Sequence, residues 1–368
     1  MKTYVVGGAI RDELLGLPVK DLDYLVVGAT PQEMIAKGFK PVGQDFPVFL
    51  HPDTHAEYAL ARTERKTAPG YKGFVFHADQ HVTLEEDLAR RDLTINAMAR
   101  EVDTNGLVTG PVIDPFGGQK DLQDKIFRHV SDAFTEDPVR LLRIARFAAR
   151  FPEFCVASNT LALLKEIGQS GELDALVKER VWQEFSRGFL SERPSRMFDV
   201  LETIGVFEKF FPSELLAKNN RKLFDLIDQS ASSDFNLQQR CAILFVGLNA
   251  EIINAWCLKW GIPSECRDYA LLGSEIHEAI GRGLTSAADI LQILDRVDVW
   301  RKPDRFNELI MVTQLIGDPV DILVQSHVAA KKVNVADIAT RFTQQGSGEL
   351  IKAAIDDARR DAIKEVLV

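Results

Sequence analysis

Residues 2–28, KTYVVGGAIRDELLGLPVKDLDYLVVG, decide how the rest of the chain is read. Thr3 to Val6 predicts a buried strand, Gly7-Gly8 a tight turn, Ala9 to Leu15 a helix stopped by Gly16 and Pro18, and Leu22 to Val27 a second strand. Asp21 and Asp23 sit two apart at the mouth of that strand, so their side chains project from one face with Cα atoms about 7 Å apart. Oxygen donors placed this way suit Mg²⁺, a hard cation that keeps several waters and completes its shell with substrate phosphates. The two glycines, Gly8 in particular, let backbone N–H groups approach an anion where a helix begins, and Arg11 adds a positive charge in the first turn. Singly, Gly-Gly is a turn and two acids are a solvated strand end. In a strand, turn, helix, strand order they predict a site for a nucleoside triphosphate with Mg²⁺.

Composition sets the outer limits. At 368 residues, 46% hydrophobic and with mean hydropathy near zero, the chain is too long for one ordinary domain. A net charge of −10 argues against a protein that coats nucleic acid through a generally basic surface, yet a local basic groove on an acidic protein can still hold one RNA. The four cysteines, at 155, 241, 257 and 266, have no CxxC spacing, which predicts reduced core residues in a cytoplasmic protein. No signal peptide, lipidation box or bilayer-spanning apolar run is visible, so no membrane partner is expected.

GGAIRD at 7–12 followed by KDLDYLVVG at 20–28 resembles the opening motif of the polymerase-β-like nucleotidyltransferases, and within them of the bacterial class II tRNA nucleotidyltransferases and poly(A) polymerases. The resemblance implies an α+β fold: a mixed sheet with helices as a catalytic head over 1–130, an all-α neck over 131–192, and an elongated helical body and tail over 193–368 that binds tRNA. It implies Asp21 and Asp23 as catalytic acids and Mg²⁺ ligands.

Thr30-Pro31 predicts a short capped helix over 32–37, and Phe46 to His51 with Glu57 to Arg62 a hairpin. Glu57 is either a third active-site carboxylate or a surface strand residue. Residues 63–82 lack helical periodicity and carry Pro69, Gly70 and Gly73, which predicts a mobile loop; by resemblance a loop here is required for adding the final A of CCA. Thr83 to Ala99 reads as one helix with a Thr83/Glu86 capping box. It carries RRDLTINA at 90–97, similar to a family motif in which Arg91 and Asp92 contact phosphates and ribose and Asn96 supports them. Val112 to Leu122, VIDPFGGQKDL, predicts a strand entering a Gly-Gly turn, a hinge after the head.

Asp137 and Pro138 open a helix in which Arg140, Arg143 and Arg150 share one face. Asp137 and Arg140 form either an exposed ion pair or something chemically specific. Cytosine and adenine present an amino donor beside a ring-nitrogen acceptor, whereas uracil and guanine present a carbonyl beside an N–H. A carboxylate next to a guanidinium complements the first pattern and opposes the second, selecting CTP and ATP without a template. The EDxxR motif of the class II enzymes is given this role, and Arg143 follows by resemblance as a further nucleotide contact. ERVWQE at 179–184 resembles a family element that stabilises this helix, through Arg180 and Glu184.

From Ser195 onward the pattern predicts helices over 195–204, 219–229, 237–246, 250–260, 264–279, 286–297 and 303–316, with a C-terminal one from 346. None of the seven histidines precedes an aspartate, the pair that marks a phosphohydrolase domain in longer relatives, so that activity is not expected, and His277 reads as an ordinary helix residue. Lys331, Lys332, Arg359 and Arg360 are candidate contacts to tRNA phosphates. The expected activity is template-independent addition of C, C and A to the 3′ end of tRNA from CTP and ATP, with no DNA partner. The rivals are an enzyme that adds only A, a poly(A) polymerase, and a non-catalytic RNA-binding protein.

Overall fold

The computed structural model describes residues 1–42, 48–66, 74–77, 80–103, 106–216, 221–342 and 348–368. Two compact units divide the chain: residues 1–188 with 196–207, and residues 189–195 with 208–368. The fold class is α+β, as expected.

In the first unit the opening stretch folds as β1 (Lys2–Val6), α1 (Gly8–Leu14) and β2 (Asp23–Val27). Gly7 sits at φ +74°, a conformation that a side chain makes costly. Then follow α2 (Pro31–Ala36), β3 (Lys40–Val42), β4 (Val48–Leu50) and β5 (Glu57–Leu60). Thr30 and Glu33 close a reciprocal capping box on α2. β4 and β5 form the predicted antiparallel hairpin, with Leu50 opposite Glu57.

Two expectations change at this point. The stretch expected as a mobile loop contains an antiparallel ladder of β6 (Thr63–Lys66) and β7 (Phe74–His77); positions 67–73, 78 and 79 lie outside the described residues. The single helix expected over 83–99 also breaks. α3 covers only Leu84–Ala89, with both halves of the Thr83/Glu86 box in place, and a 3₁₀ turn at Thr94–Asn96 leads into β8 (Ala99–Val102). Long-range bonds outweigh the helix signal there. Thr94 N donates to the Arg128 carbonyl at 2.9 Å, and Leu93 bridges to His129.

β9 (Val108–Ile113) runs into the Gly117-Gly118 turn and α4 (Gly118–Gln123), whose first amides donate to the Asp114 carboxylate at 2.7 and 2.8 Å. Gly118 is required for packing: a Cβ on it would stand 2.3 Å from the Thr94 carbonyl oxygen. The main sheet has the order β3-β4-β5-β2-β1-β8-β9. β2 is central, antiparallel to β1 and parallel to β5. Tyr4, Val6 and Leu25 enter one core with Leu88 and Ala97, while Val26 and Leu60 pack with Met34 and Phe49 in another. Both faces of the sheet are therefore covered, which fixes the register of β2 and with it the position of Asp23. The unit is completed by α5 (Val139–Arg150), α6 (Ser158–Gln169), α7 (Lys178–Phe189) and most of α8 (Ser195–Thr203).

The second unit is helical. Its helices at Arg221–Ala231, Leu237–Phe245, Ala250–Trp260, Ser264–Arg282, Ala287–Val297 and Pro303–Ile316 follow the predicted runs, and the C-terminal one covers Gly348–Leu367. Two more, at Asp321–Lys331 and Val335–Phe342, were not marked in the sequence. Buried Arg240 donates to the carbonyls of Phe189 and Phe235 at 2.5 and 3.0 Å, and the indole N–H groups of Trp256 and Trp260 both donate to the Phe210 carbonyl. His277 lies in a helix, 2.6 Å from the Asp318 carboxylate.

Candidate active site

An open cavity of about 440 Å³ lies in the first unit, lined by nine arginines and three aspartates, Asp23, Asp92 and Asp137. A chain with a large net negative charge thus concentrates cations at one place. Gly7, Gly8 and Arg11 bring the first turn of α1 to this cavity.

Arg11 is buried; its Nη1 donates to Asn96 Oδ1 at 2.5 Å and its Nε to Asp12 at 2.8 Å. Burial lowers its pKa and Asp12 opposes that. Arg91 reaches Asp87 at 3.2 Å, and its Nε is buried with no hydrogen-bond partner among the described residues. It also stands so close to Gly7 that a Cβ there would meet Arg91 Nη1 at 2.9 Å. An orphaned donor beside a side-chain-free turn is the arrangement an anionic ligand completes.

Asp23 heads β2 and lines the cavity. Burial raises its pKa, Arg91 lowers it, and nearby Asp21 raises it further. Asp21 lies two residues before the first strand residue, Asp23, so the two acids are not both on the pleat, and Asp21 is exposed outside the lining. Among the described residues no group of three or more His, Cys, Asp or Glu could hold a metal. The Asp23 carboxylate in the lining, with that of Asp21 near enough to raise its pKa, fits a hard divalent cation that keeps waters and draws its other ligands from phosphate. Glu57 follows from the parallel register that stacks Tyr24 on Tyr58, with ring centroids 4.4 Å apart. That register sets it beside Asp23, exposed and outside the lining.

Asp92 and Asn96 are buried in the turn that replaced the expected helix. Burial alone would raise the Asp92 pKa; the Arg143 charge, the hydrogen bonds from Asn96 and Arg143 at 3.0 and 2.8 Å, and the Arg140 charge outweigh it and hold the carboxyl far below its ordinary value, while the Leu93 amide also donates to it at 2.8 Å. Its Oδ2 accepts from Arg143 and keeps lone-pair capacity for a ligand hydroxyl. Arg143 is raised in turn, by Asp92 first, and lies 3.7 Å from Glu184.

Of the two alternatives for Asp137 and Arg140, the exposed ion pair is not made. Asp137 has an extended backbone before the helix, which breaks the i,i+3 geometry, and Arg180 of α7 grips both its oxygens at 3.1 and 2.7 Å. Arg140 donates to the carbonyls of Ala133 and Arg90 at 3.0 and 2.5 Å. Both still line the same cavity. Sequence reasoning missed Arg146, Phe147 and Arg187 in the lining. The arginine periodicity of α5 pointed toward Arg146, which donates to Glu184 at 2.5 Å; no local signal marked Phe147. Outside the cavity, Arg359 stacks over Trp300 at 3.5 Å and Arg360 pairs with Asp357.

Carboxylate oxygens for a divalent cation, set against guanidinium groups for a triphosphate on this mixed sheet, define a nucleotidyltransferase. Residues 3–128 match the poly(A) polymerase head domain, and residues 153–215 the probable RNA- and SrmB-binding site of polymerase A. The multifunctional CCA protein of Janthinobacterium sp. (strain Marseille) is 48% identical over 100% of this chain and 98% of its own length, and that of Burkholderia multivorans 46% identical over 100% and 99%. A CCA-adding enzyme in an apo form superposes with TM-score 0.73 at 22% identity over 99% of this chain and 90% of its own. A tRNA-processing enzyme with CTP gives 0.65 at 25% identity over 98% and 96%. The chain belongs to the CCA protein family of nucleotidyltransferases.

Proposed function

We propose that this protein adds C, C and A in turn to the 3′ end of tRNA, using CTP and ATP without a nucleic-acid template and releasing pyrophosphate. The observation that carries this reading is that Asp23, Arg11 and Arg91 line one nucleotide-sized cavity with Asp137 and Arg140, so one bound nucleotide can meet both the chemistry and the selection. Relatives named CCA protein at nearly half identity over the full chain support it, as does a Thermotoga maritima CCA-adding enzyme complexed with tRNA.

Asp21 and Asp23 would hold Mg²⁺, which when bound supplies charge neutralisation at the phosphates and acidifies the attacking hydroxyl. The protein's own work is positioning. Arg11 and Arg91 receive phosphate oxygens beside the Gly7-Gly8 turn. Asp92 accepts from ribose hydroxyls, its other contacts with Arg143 and Asn96 fixing its plane. Asp137 accepts from the exocyclic amine of cytosine or adenine while Arg140 donates to the ring nitrogen; uracil or guanine would set acceptor against carboxylate and donor against guanidinium. Arg180 holds both Asp137 oxygens and leaves lone pairs for that amine. In this account 1–130 is catalytic, 131–192 selects the base, and 193–368 binds tRNA in the cytoplasm. Among the described residues no helix is long and apolar enough to cross a membrane.

The test is incubation with tRNA lacking its last three nucleotides, and with tRNA ending in CC, with labelled CTP or ATP. Three additions followed by a stop support CCA addition. Activity on the CC-ended substrate alone means an A-adding enzyme, an open ladder of A a poly(A) polymerase, and no product a binding protein.

A further inference from the structure

One aromatic side chain, Phe147, lines the cavity, and Phe151 stacks on it from outside the lining. Phe147 and Phe151, one turn apart on and after α5, stack with centroids 6.3 Å apart and planes 15° from parallel, and both are nearly buried. Four guanidinium groups surround them. Arg11 of α1 lies 5.3 Å from the centroid of each ring, Arg143 and Arg146 lie 5.8 and 4.2 Å from Phe147, and Arg150 lies 4.9 Å from Phe151. The carboxylates paired with these four are Asp12, Asp92 and Glu184, so one cation is left in excess around the two rings. Burial and mutual repulsion work against it: Arg11 is depressed by burial and by Arg150, and Arg146 by burial and by Arg143. An aliphatic side chain of equal bulk would leave that repulsion unanswered, whereas the negative face of an aromatic ring attracts each guanidinium.

We propose that Phe147 is a positioning residue for nucleotide binding, its ring, backed by Phe151, holding Arg11, Arg143 and Arg146 together across the joint between α1 and α5. Phosphate-facing Arg11 is thereby tied to Arg143, which holds ribose-facing Asp92, so the two ends of the nucleotide site keep one spacing. The proposal rests on the nucleotide reading of this cavity given above.

The test replaces Phe147 with 4-fluoro-, 3,5-difluoro- and 3,4,5-trifluorophenylalanine, which keep its shape and progressively weaken the negative face. The KM for CTP and for ATP is expected to rise with each fluorine, to about tenfold at the trifluoro ring, with kcat unchanged and the native fold retained by circular dichroism. Phe147→Leu is expected to raise KM by at least as much. A flat KM across the fluorinated series overturns the proposal even if Phe147→Leu fails to fold, because a packing role would not respond to ring electronics. Arg11→Ala and Arg143→Ala separate the two claims. If they weaken CTP binding while the series is flat, the aromatic role alone falls; if they bind CTP as the wild type does, the nucleotide reading falls and the proposal with it.

Discussion

The Asp137 carboxylate is held by Arg180 at 3.1 and 2.7 Å, a two-pronged pair between residues 43 positions apart. The arginine three positions along, Arg140, turns to backbone carbonyls. On the proposed reading, in which Asp137 selects the base, that selection depends on Arg180 of α7 as well as on the start of α5. Arg180→Ala should leave a correctly folded protein, because this pair is partly exposed, but one whose Asp137 can rotate. The expected outcome is a fall of about tenfold or more in kcat/KM for CTP together with a rise in UTP incorporation relative to CTP. Single-nucleotide incorporation assays check it, and unchanged discrimination would return Arg180 to a purely structural role.

Asp92 makes the opposite case, a buried carboxylate whose pair with Arg143 is part of the scaffold. Asp92→Asn leaves Arg143 with Glu184 alone and should destabilise the first unit by about 3 kcal/mol, read by denaturant unfolding. The acid response follows from the lowered pKa. A carboxyl depressed in the folded state contributes stability in full above its unfolded pKa of about 4 and loses it as pH falls toward the depressed value. The wild type should thus lose stability more steeply than Asp92→Asn below pH of about 4.

For the metal reading, Mg²⁺ should raise the thermal midpoint of the wild type by a few degrees at saturating concentration in the presence of CTP. Asp21→Ala and Asp23→Asn should lose both this shift and incorporation while retaining tRNA binding in a gel-shift assay. Incorporation by Asp23→Asn at the wild-type rate would remove the metal assignment.

Two glycines give a packing contrast. Gly118→Ala drives a Cβ toward the Thr94 carbonyl, backbone against backbone, and should cost about 3 kcal/mol or prevent folding. Gly281, in the helix Ser264–Arg282, faces open space, so Gly281→Ala should stabilise the second unit by about 0.5–1 kcal/mol. Thermal unfolding of the two variants measures both signs.

What could be read from the sequence was what is local. β1, the glycine turn, α1 and β2 follow from neighbours within 28 residues, and so does the capping box of α3. The break at Arg90 was not legible, because it is set by Arg128, His129 and Gly118, residues that chain periodicity does not connect with Thr94. Spacing allowed Asp137 an ion pair with Arg140 as one of two alternatives, whereas the residue that holds its carboxylate comes from another helix. Phe147 looked like any apolar residue of an amphipathic helix; only the fold brings Arg11 onto its ring.

The central claim is that one nucleotide spans both clusters of the cavity. A crystal structure of the protein with CTP and Mg²⁺ tests it most directly. The account predicts the cytosine amino group within hydrogen-bond distance of Asp137, the ring nitrogen facing Arg140, and the triphosphate between Arg11, Arg91 and a cation on Asp21 and Asp23. A CTP whose base lies away from Asp137 and Arg140 while its phosphates occupy the Asp23 end, or one bound outside the cavity altogether, would contradict it.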